Sequence, residues 1–490
     1  MLGSVVLLCV FFLLLFLIRV RRPVGFPPGP CPLPFIGNIL QLSATNPLKD
    51  LERLSQRYGK IFSLYLGSGP VVVLTGTETI REALVTRAAE FSGRPDNLMI
   101  SHITKGKGVI LADYGPSWKE HRRFALFTLR NFGLGKRSME ERILEEISHI
   151  SAELESHDGQ SMDPQVLFHQ AASNIICSLI FGERFEWKDP VFITLIKGMQ
   201  ELTALAIGPW ATLYEICPAL RNLPLPFRRA FTIYNSVKEH TQKVVLEHKK
   251  SRVPGKPRDL IDCYLDQLDK TANEDSTFDE TQMIILLLDL FIAGTDTTST
   301  TFRSLMIQLM NNQNIQERCH REIEAVMEGR PHPSYEDRSA MPYVQAVIHE
   351  SQRFGDIVPL SVFHCTTCNT QLQGFELPKG TTVIPNLSSA LHEESQWKFP
   401  HEFNPENFLN EDGEFVKPDA FMPFSIGPRV CLGEGLARME LFLITVTLLR
   451  QFQFVWPKDQ DPLDPSTIFG AVQSPKPYHM GVCFRKSQRG

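Results

Sequence analysis

The feature that most constrains this chain is a lone cysteine, Cys431, in the run FSIGPRVCLG at residues 424–433. An apolar segment with helical spacing follows, so the thiol lies near a helix N-terminus, where free backbone N–H groups and the helix dipole stabilise a thiolate. Gly427 and Gly433 let the backbone pass close to a flat, bulky ligand, and Arg429 can pair with a carboxylate of that ligand. The pattern indicates a metal-bound thiolate more strongly than a buried structural cysteine.

The N-terminal residues predict a membrane anchor. Residues 2–18 contain no charged residue, and this length is at the short end of the roughly 17–25 apolar residues that span a bilayer as a helix. Arg19, Arg21 and Arg22 follow at once, whereas no Lys or Arg precedes the apolar run. A cleaved signal peptide would have its positive charge first and a small-residue cleavage site afterwards. We therefore expect residues 1–18 to form a single-pass signal anchor, with the rest of the chain cytosolic.

A proline-rich segment separates the anchor from the rest of the chain. The run PPGP at 27–30 cannot be helical, because proline lacks an amide hydrogen and fixes φ, so residues 19–38 are predicted to be a basic stop-transfer segment and a stiff hinge. With no repeat or second break beyond it, residues 39–490 are expected to be one domain. Helical spacing dominates there, and strand-like runs are short and lie in two separate places, near 61–74 and 381–385. The predicted fold is mainly α with small β-sheets.

Composition narrows the class of function. Lys and Arg total 50 against 55 Asp and Glu, giving a net charge of −5, which argues against a nucleic-acid partner. The 10 cysteines have no repeating spacing, as expected of reduced cytosolic thiols. Cys365 and Cys368 form one CxxC pair without further ligands at zinc spacing, so we interpret that pair as coincidental.

Polar residues interrupt a long apolar helix predicted over 281–311. Asp and Thr are poor helix formers and costly to bury, so the run AGTDT indicates a functional role. Ala293 and Gly294 are small enough for a bulky ligand to lie against the helix. Thr297 can hydrogen-bond to the carbonyl of Ala293 or release it to a water, and Asp296 beside that hydroxyl suits proton delivery. The alternative is an ordinary back-bonded threonine.

Two shorter patterns place polar side chains on one helical face. Trp118 and Arg122 are four residues apart, so an indole N–H and a guanidinium can donate to the same carboxylate. Glu350 and Arg353 are three residues apart, a spacing that is common on solvated helices and means little alone. His364 is an isolated histidine, which in most proteins is simply a satisfied or surface residue.

Together these motifs resemble those of the cytochrome P450 family over essentially the whole chain. The run around Cys431 matches the family's FxxGxRxCxG loop, and AGTDT matches its [AG]Gx[DE]T helix motif. The WxxxR, ExxR and PPGP patterns also match, most closely those of vertebrate microsomal members of family 2. The resemblance implies the cytochrome P450 fold, as a single heme-thiolate monooxygenase domain behind an N-terminal transmembrane anchor.

The resemblance also implies a role for each motif. Cys431 would be the axial ligand of the iron of heme b, and Asp296 and Thr297 would relay protons to dioxygen. The other residues expected to contact the heme are Arg429, Arg122, Trp118, His364 and Gly294. Glu350 and Arg353 would form a structural lock that positions the cysteine loop. Asn407 stands where the family usually has Arg or His, which leaves the third member of that lock open.

The implied reaction inserts one oxygen atom from O2 into a lipophilic substrate, such as a fatty acid, a steroid or a xenobiotic. Its electrons would come from NADPH through NADPH-cytochrome P450 reductase, with cytochrome b5 as a second candidate partner, at the endoplasmic reticulum membrane. Residues 223–229, apolar beside a basic pair, are a candidate second membrane contact. Basic residues around the 118–122 helix would face the reductase, although Pro428 replaces a basic residue common in relatives. Two alternatives remain: a heme-thiolate isomerase or dehydratase that needs no external electrons, and a non-enzymatic heme sensor.

Overall fold

The computed structural model describes residues 22–485, apart from 35, 44, 68, 133–136, 273–275 and 458–465. The predicted signal anchor, residues 1–18, lies outside the described residues, as does the start of the predicted stop-transfer segment. The described chain is mostly helical, with small sheets. The predicted fold class is therefore confirmed.

The described residues contain a long series of α-helices, several of which begin with proline at the first position, where its missing N–H costs nothing. They are α1 (Pro47–Tyr58), α2 (Thr77–Arg81), α3 (Ala88–Phe91), α4 (Met99–Thr104), α5 (Pro116–Asn131), α6 (Arg137–Glu155), α7 (Pro164–Ile180), α8 (Pro190–Ile207), α9 (Pro209–Ile216), α10 (Arg228–Ser251), α11 (Leu260–Lys270), α12 (Glu280–Asn311), α13 (Gln313–Met327), α14 (Pro342–Gly355), α15 (Leu387–Leu391) and α16 (Glu434–Gln451).

The strands are short. They are β1 (Ile61–Leu66), β2 (Gly69–Thr75), β3 (Ser161–Met162), β4 (His364–Cys365), β5 (Thr370–Leu372), β6 (Phe375–Leu377), β7 (Thr382–Asn386), β8 (Phe452–Val455), β9 (Thr467–Ile468), β10 (Ser474–Pro475) and β11 (Met480–Phe484). A four-stranded sheet has the order β1-β2-β7-β4, and a three-stranded sheet has the order β3-β11-β8. The two strand regions that the sequence suggested separately thus belong to one sheet, in which β2 and β7 are parallel.

The end of the predicted hinge lies on this sheet instead of forming a free spacer. The carbonyl of Pro28 accepts a hydrogen bond from the backbone N–H of Ser63 at 2.7 Å, and the carbonyl of Pro27 accepts one from the hydroxyl of Ser63 at 2.7 Å. These bonds satisfy the carbonyls of a segment that cannot make helical ones. The PPGP run is therefore packed against β1.

The centre of the molecule is α12. Its N-terminus is capped by Asp279, whose carboxylate accepts from the N–H of Gln282 at 2.8 Å. Among the described residues, α8 and α12 are the two helices long and apolar enough to cross a bilayer, but 67% of the most apolar window of α12 is buried, which identifies it as a core helix. The helix α7 packs along it, with the ring of Phe168 stacked on that of Phe302 at 5.3 Å between centroids.

Candidate active site

The loop before Cys431 is held by backbone contacts. The N–H of Cys431 donates to the carbonyl of Phe424 at 2.9 Å. Gly427 has a φ of +79°, and a Cβ at this position would be 1.9 Å from the carbonyl oxygen of Leu84. Only glycine fits both the left-handed conformation and this close approach. The loop is thereby fixed against the segment around Leu84, with the cysteine just before α16.

The thiol of Cys431 faces a space enclosed by protein. Its side chain has accessible surface, yet burial raises the pKa of the Cys431 thiol. The backbone N–H groups of Gly433 and Glu434 and the guanidinium of Arg122 oppose that rise, because each stabilises the thiolate. Ala293 is exposed too, although it lies in the middle of the core helix α12. The exposure of Ala293 shows that α12 borders open space at this point, and we infer that this space is the cavity of the site.

The ring of Trp118 on α5 lies between two guanidinium groups. Its centroid is 4.0 Å from Cζ of Arg429 and 5.5 Å from Cζ of Arg122. The indole N–H donates to the carbonyl of Val109 at 3.0 Å, and Arg122 donates to the carbonyl of Val430. The indole N–H is thus directed to a protein carbonyl, whereas the guanidinium of Arg122 keeps further donors, and Trp118 offers its ring to the cations.

Arg94 also belongs to this cluster, although no motif in the sequence pointed to it. Its Nε donates to the carbonyl of Ile110 at 2.9 Å, and its Nη1 donates to those of Val362 at 3.0 Å and Phe363 at 2.8 Å. Burial lowers the pKa of Arg94 well below its usual value, and the charges of Arg429 and Arg122 lower it further. No local spacing marks this residue, because its partners at Val362 and Phe363 are distant in sequence.

The charges of this cluster fit an anionic cofactor. Arg429 donates from Nε to the carbonyl of Ser92 at 2.9 Å and from Nη2 to that of Ala112 at 2.8 Å, but its buried Nη1 has no partner among the described residues. Burial lowers the pKa of Arg429 to about 9. The nearby Asp113 is exposed and cannot balance three guanidinium groups. The two propionates of heme b would supply the missing negative charge.

His364 lies beside this cluster, at the start of β4. It is buried, and its Nδ1 donates to the carbonyl of Phe91 at 2.7 Å. Burial lowers the pKa of His364 well below its usual value, and the charge of Arg94 adds to this effect. The ring is therefore neutral with its hydrogen on Nδ1. Donation from Nε2 to a carboxylate would require a second proton, which an anion nearby would favour.

The AGTDT turn of α12 lies where this helix is exposed, at Ala293. The hydroxyl of Thr297 donates to the carbonyl of Ala293 at 2.6 Å, which is one of the two arrangements that the sequence suggested. The carboxylate of Asp296 faces α7, with Oδ1 3.4 Å from Nε2 of His169. His169 is a second residue that the sequence did not bring forward, since the contact joins two helices far apart in the chain.

Gly294 has a packing role that the sequence interpretation did not anticipate. A Cβ at Gly294 would be 3.1 Å from Cγ1 of Ile176 on α7, so its small size allows α7 and α12 to approach closely. We had expected that size to make room for the cofactor. The residue whose side chain borders the cavity is instead its neighbour Ala293.

The Glu350–Arg353 pair is completely buried. Arg353 donates from Nε and Nη2 to the two carboxylate oxygens of Glu350 at 2.7 and 2.8 Å, and both side chains are 0% exposed. The other donors of Arg353 reach the carbonyls of Leu391, Phe399, Pro400 and Glu402. Asn407 donates to Oε1 of Glu350 at 3.2 Å and accepts from the N–H of Phe399 at 2.9 Å. A neutral amide thus occupies the third place in this network.

Comparison with known proteins agrees with the site. The family model described as Cytochrome P450 matches residues 27–482. Rabbit (Oryctolagus cuniculus) cytochrome P450 2B4 is 42% identical over 92% of this chain and 92% of its own. Rat (Rattus norvegicus) cytochrome P450 2D3 is 41% identical over 94% of this chain and 93% of its own. Pig (Sus scrofa) vitamin D(3) 25-hydroxylase is 41% identical over 98% and 98%.

These matches cover nearly all of the described chain and include every motif discussed above. The resemblance suggested by the cysteine loop, the α12 turn and the buried ion pair is therefore confirmed at the level of the family. The chain belongs to the cytochrome P450 family, and it is a heme-thiolate monooxygenase whose cofactor is heme b.

Proposed function

We propose that this chain is a membrane-anchored monooxygenase that inserts one oxygen atom of O2 into lipophilic substrates, either fatty acids, steroids or xenobiotics. The observation that carries the proposal is the combination of the Cys431 thiol with the Asp296–Thr297 turn at the exposed point of α12. A heme sensor would need no acid and hydroxyl at this point. An isomerase that rearranges peroxides would need no proton relay.

The residues around the cysteine would hold the heme. Cys431 would ligate the iron, and Arg94, Arg122 and Arg429 would pair with the propionates, with Trp118 packed between two of these cations. A thiolate-ligated heme activates dioxygen by favouring O–O cleavage. Buried cations around its carboxylates would fix the orientation of the ring and keep water from that edge of the site.

Asp296 and Thr297 would move protons into the cavity beside Ala293. The Thr297 hydroxyl donates to the Ala293 carbonyl at 2.6 Å, and rotation of that hydroxyl would release it to a water in the cavity. Thr297→Ala should therefore uncouple the enzyme, so that NADPH is consumed and peroxide forms while product per NADPH falls at least about tenfold. Thr301→Ala is the matched control, since Thr301 makes the same back-bond, to the carbonyl of Thr297 at 2.8 Å, one turn further on. Full coupling in Thr297→Ala would refute the relay.

A reductase would dock on the exposed face of α5. Lys119, Arg123 and Arg130 are exposed there, and Phe127 between them is 64% exposed. A basic face with an exposed aromatic residue suits an acidic protein partner. NADPH-cytochrome P450 reductase is the proposed electron donor, with cytochrome b5 as a second candidate.

The substrate class follows from apolar residues and from one relative. The pig protein is named as a hydroxylase of vitamin D(3), a lipophilic molecule. By analogy with the family, the cavity walls here would include Ile110, Leu290, Leu360 and Phe363, none of which is charged. A few such side chains change selectivity by only a few kcal/mol, so the proposal stops at the class.

The test is a product screen of the anchored protein with reductase, NADPH and pooled fatty acids, steroids and drug-like compounds. The proposal expects oxygenated products that carry label from ¹⁸O2 and that require both reductase and NADPH. Turnover of lipid peroxides without NADPH would favour the isomerase or dehydratase instead. Bound heme with no turnover of any compound would favour the sensor.

The proposed location is the endoplasmic reticulum membrane, with residues 1–18 as a single-pass anchor, residues 19–38 as the stop-transfer segment and hinge, and residues 39–490 as the cytosolic catalytic domain. A second apolar surface supports this location. It would comprise Ile207, Trp210 and Leu223, which are 45%, 38% and 46% exposed. Only 28% of the most apolar window of α8 is buried, as suits a face that rests in a headgroup region.

A further inference from the structure

A buried histidine on α7 contacts the acid of the proposed relay. Nε2 of His169 lies 3.4 Å from Oδ1 of Asp296, and the two side chains are 7% and 13% exposed. Next to it, Phe168 stacks on Phe302 of α12, so helix packing fixes the position of the imidazole. The contact therefore lies in the core of the molecule. Burial of a histidine and a carboxylate there costs free energy unless the two groups interact favourably.

The hydrogen bond of this ring at Nδ1 orients Nε2 toward the carboxylate of Asp296. Nδ1 of His169 lies 2.9 Å from the carbonyl oxygen of Gln165. Because a carbonyl only accepts, Nδ1 carries a hydrogen. In a neutral ring of that tautomer, Nε2 is an acceptor, and it would face a carboxylate oxygen that is also an acceptor. A proton shared between Nε2 of His169 and Oδ1 of Asp296 would make this contact favourable.

The carboxylate of Asp296 has no competing structural role. Within the described residues, its oxygens have no hydrogen-bonding or ion-pair partner other than His169. A second, closer histidine–carboxylate pair provides a contrast: His248 bonds to the carbonyl of Val244 at 2.9 Å through Nδ1 and to Asp259 at 2.9 Å through Nε2. There, however, the other oxygen of Asp259 caps α11, which gives that acid a structural purpose. Asp296 lies mid-helix and has no such purpose.

We propose that His169 supplies the proton that Asp296 passes to the Thr297 turn, an inference that rests on the proposed relay. In this step the Nε2–H bond of His169 breaks and an O–H bond forms on Oδ1 of Asp296. The imidazolium becomes a neutral imidazole, and the carboxylate becomes a neutral acid. A solvent proton then restores the Nε2–H bond, and no electron moves. His169 acts through Asp296 and is thus a positioning residue.

The geometry allows this sequence of transfers. Adjacent residues of a helix point about 100° apart, so Asp296 can face α7 while Thr297 faces the cavity, and both flank one turn. The ring edge of His169 retains a small exposed fraction, through which water can return the proton. The path runs from α7 through the acid to the hydroxyl.

The test compares His169→Gln with wild type in the heme-loaded, reductase-supported enzyme. A glutamine amide can still donate to Asp296 but cannot release a proton, so it separates proton supply from hydrogen bonding. We expect His169→Gln and Asp296→Asn each to raise peroxide release per NADPH several-fold and to increase the solvent deuterium isotope effect on product formation. The double variant should be no worse than Asp296→Asn, and His248→Gln should match wild type.

A second measurement does not depend on turnover. In protein labelled with ¹⁵N in its histidine rings, NMR should detect a hydrogen-bonded proton on Nε2 of His169 that is lost in Asp296→Asn and kept in Thr297→Ala. If His169→Gln fails to load heme, His169→Asn, whose shorter amide is also a donor, takes its place.

The outcomes separate this inference from the relay on which it rests. If Asp296→Asn and Thr297→Ala uncouple the enzyme while His169→Gln remains as coupled as wild type, the role of His169 is refuted and the relay stands. If Asp296→Asn and Thr297→Ala are both fully coupled, the relay itself falls, and the proposal for His169 falls with it. Uncoupling in His248→Gln of the same size as in His169→Gln would also refute the proposal, because it would indicate a general loss of stability.

Discussion

Arg429 directs two of its nitrogens to protein carbonyls, whereas its buried Nη1 has no partner among the described residues. A buried charge left in this state is strongly unfavourable. The heme propionates would explain why a guanidinium is tolerated there, since they would accept from the remaining donor. The unpartnered nitrogen of Arg429 is thus evidence for an anionic cofactor that comes from the protein residues alone.

Arg429→Leu should weaken heme retention on the order of 10- to 100-fold, as expected for the loss of a charge-assisted hydrogen bond. The measurement is the rate of heme transfer to an acceptor protein. Arg438→Leu is the control, because Arg438 lies on the neighbouring helix α16 but pairs with Glu434. Equal heme retention in wild type and Arg429→Leu would contradict the assignment.

Asp289 holds the segment that follows α4 against α12. One of its oxygens accepts from the N–H groups of Val109 at 2.7 Å and Ile110 at 3.0 Å. Gly108, with a φ of +88°, lies so close that a Cβ there would be 2.2 Å from the same oxygen. Burial raises the pKa of Asp289 from 3.8 to about 7, although the two N–H groups oppose this.

This shift predicts the pH dependence of stability. A raised pKa means that the folded state binds a proton more tightly than the unfolded state. The contribution of Asp289 to the free energy of unfolding is therefore full below its ordinary pKa of 3.8, and it is lost as the pH rises to about 7. Relative to Asp289→Asn, wild type should lose about 2–4 kcal/mol of unfolding free energy over that interval. Urea unfolding of both proteins at several pH values measures the difference. Parallel curves would contradict the prediction.

At the scale of elements, the buried Glu350–Arg353 pair joins α14 to the segment from α15 to Phe408. Arg353 satisfies carbonyls at four positions of that segment. Asn407 completes the network through an amide, so the charge that the family resemblance led us to expect at this position is not needed to close it. The ion pair, with both partners at 0% exposure, is the dominant contact.

Asn407→Ala should cost about 1–3 kcal/mol of unfolding free energy, because it leaves the N–H of Phe399 and one donor to Glu350 unreplaced. Arg353→Leu should cost more, about 3–5 kcal/mol, since it leaves a buried carboxylate unpaired. Chemical unfolding of the heme-loaded proteins provides both values. The reverse order would mean that the amide, and not the ion pair, holds the segment.

The sequence predicts those parts of the fold and site that depend on contiguous residues, but not those that depend on contacts between distant elements. The polar turn of α12 and the Cys431 loop were predictable, because each is encoded in contiguous residues with a recognisable spacing. The pairing of β2 with β7 was not, because the register Val71–Thr382 joins strands with no local sign of each other. Arg94 was missed for the same reason: its partner Val362 is 268 positions away. The packing contact of Gly294 with Ile176 across the helix interface was equally invisible in the sequence.

At the scale of the whole molecule, an apolar surface comprising Ile207, Trp210 and Leu223 would give the catalytic domain a second means of meeting a membrane. Single exposed apolar residues are ordinary. We propose that three of them, at the end of α8, on α9 and on the segment before α10, form one apolar surface. Such a contact would place the domain where lipophilic substrates are concentrated.

The chain without residues 1–21 should therefore still bind lipid vesicles. The double change Trp210→Glu and Leu223→Glu should weaken that binding at least about tenfold, because each buried apolar side chain contributes about 1.5–3 kcal/mol. Val416→Glu is the control, since Val416 is 47% exposed on a different segment. Vesicle sedimentation measures the binding, and equal binding by the double variant and the control would contradict the second contact.

The central claim is that Cys431 ligates the heme iron as a thiolate, and its most direct test is the absorption spectrum of the ferrous–carbon monoxide complex. Wild type should give the red-shifted band of a thiolate-ligated heme, because electron donation by sulfur changes the iron. Cys431→Ala should lose that band, while melting and circular dichroism show that the chain remains folded. An unchanged spectrum in Cys431→Ala would contradict the account.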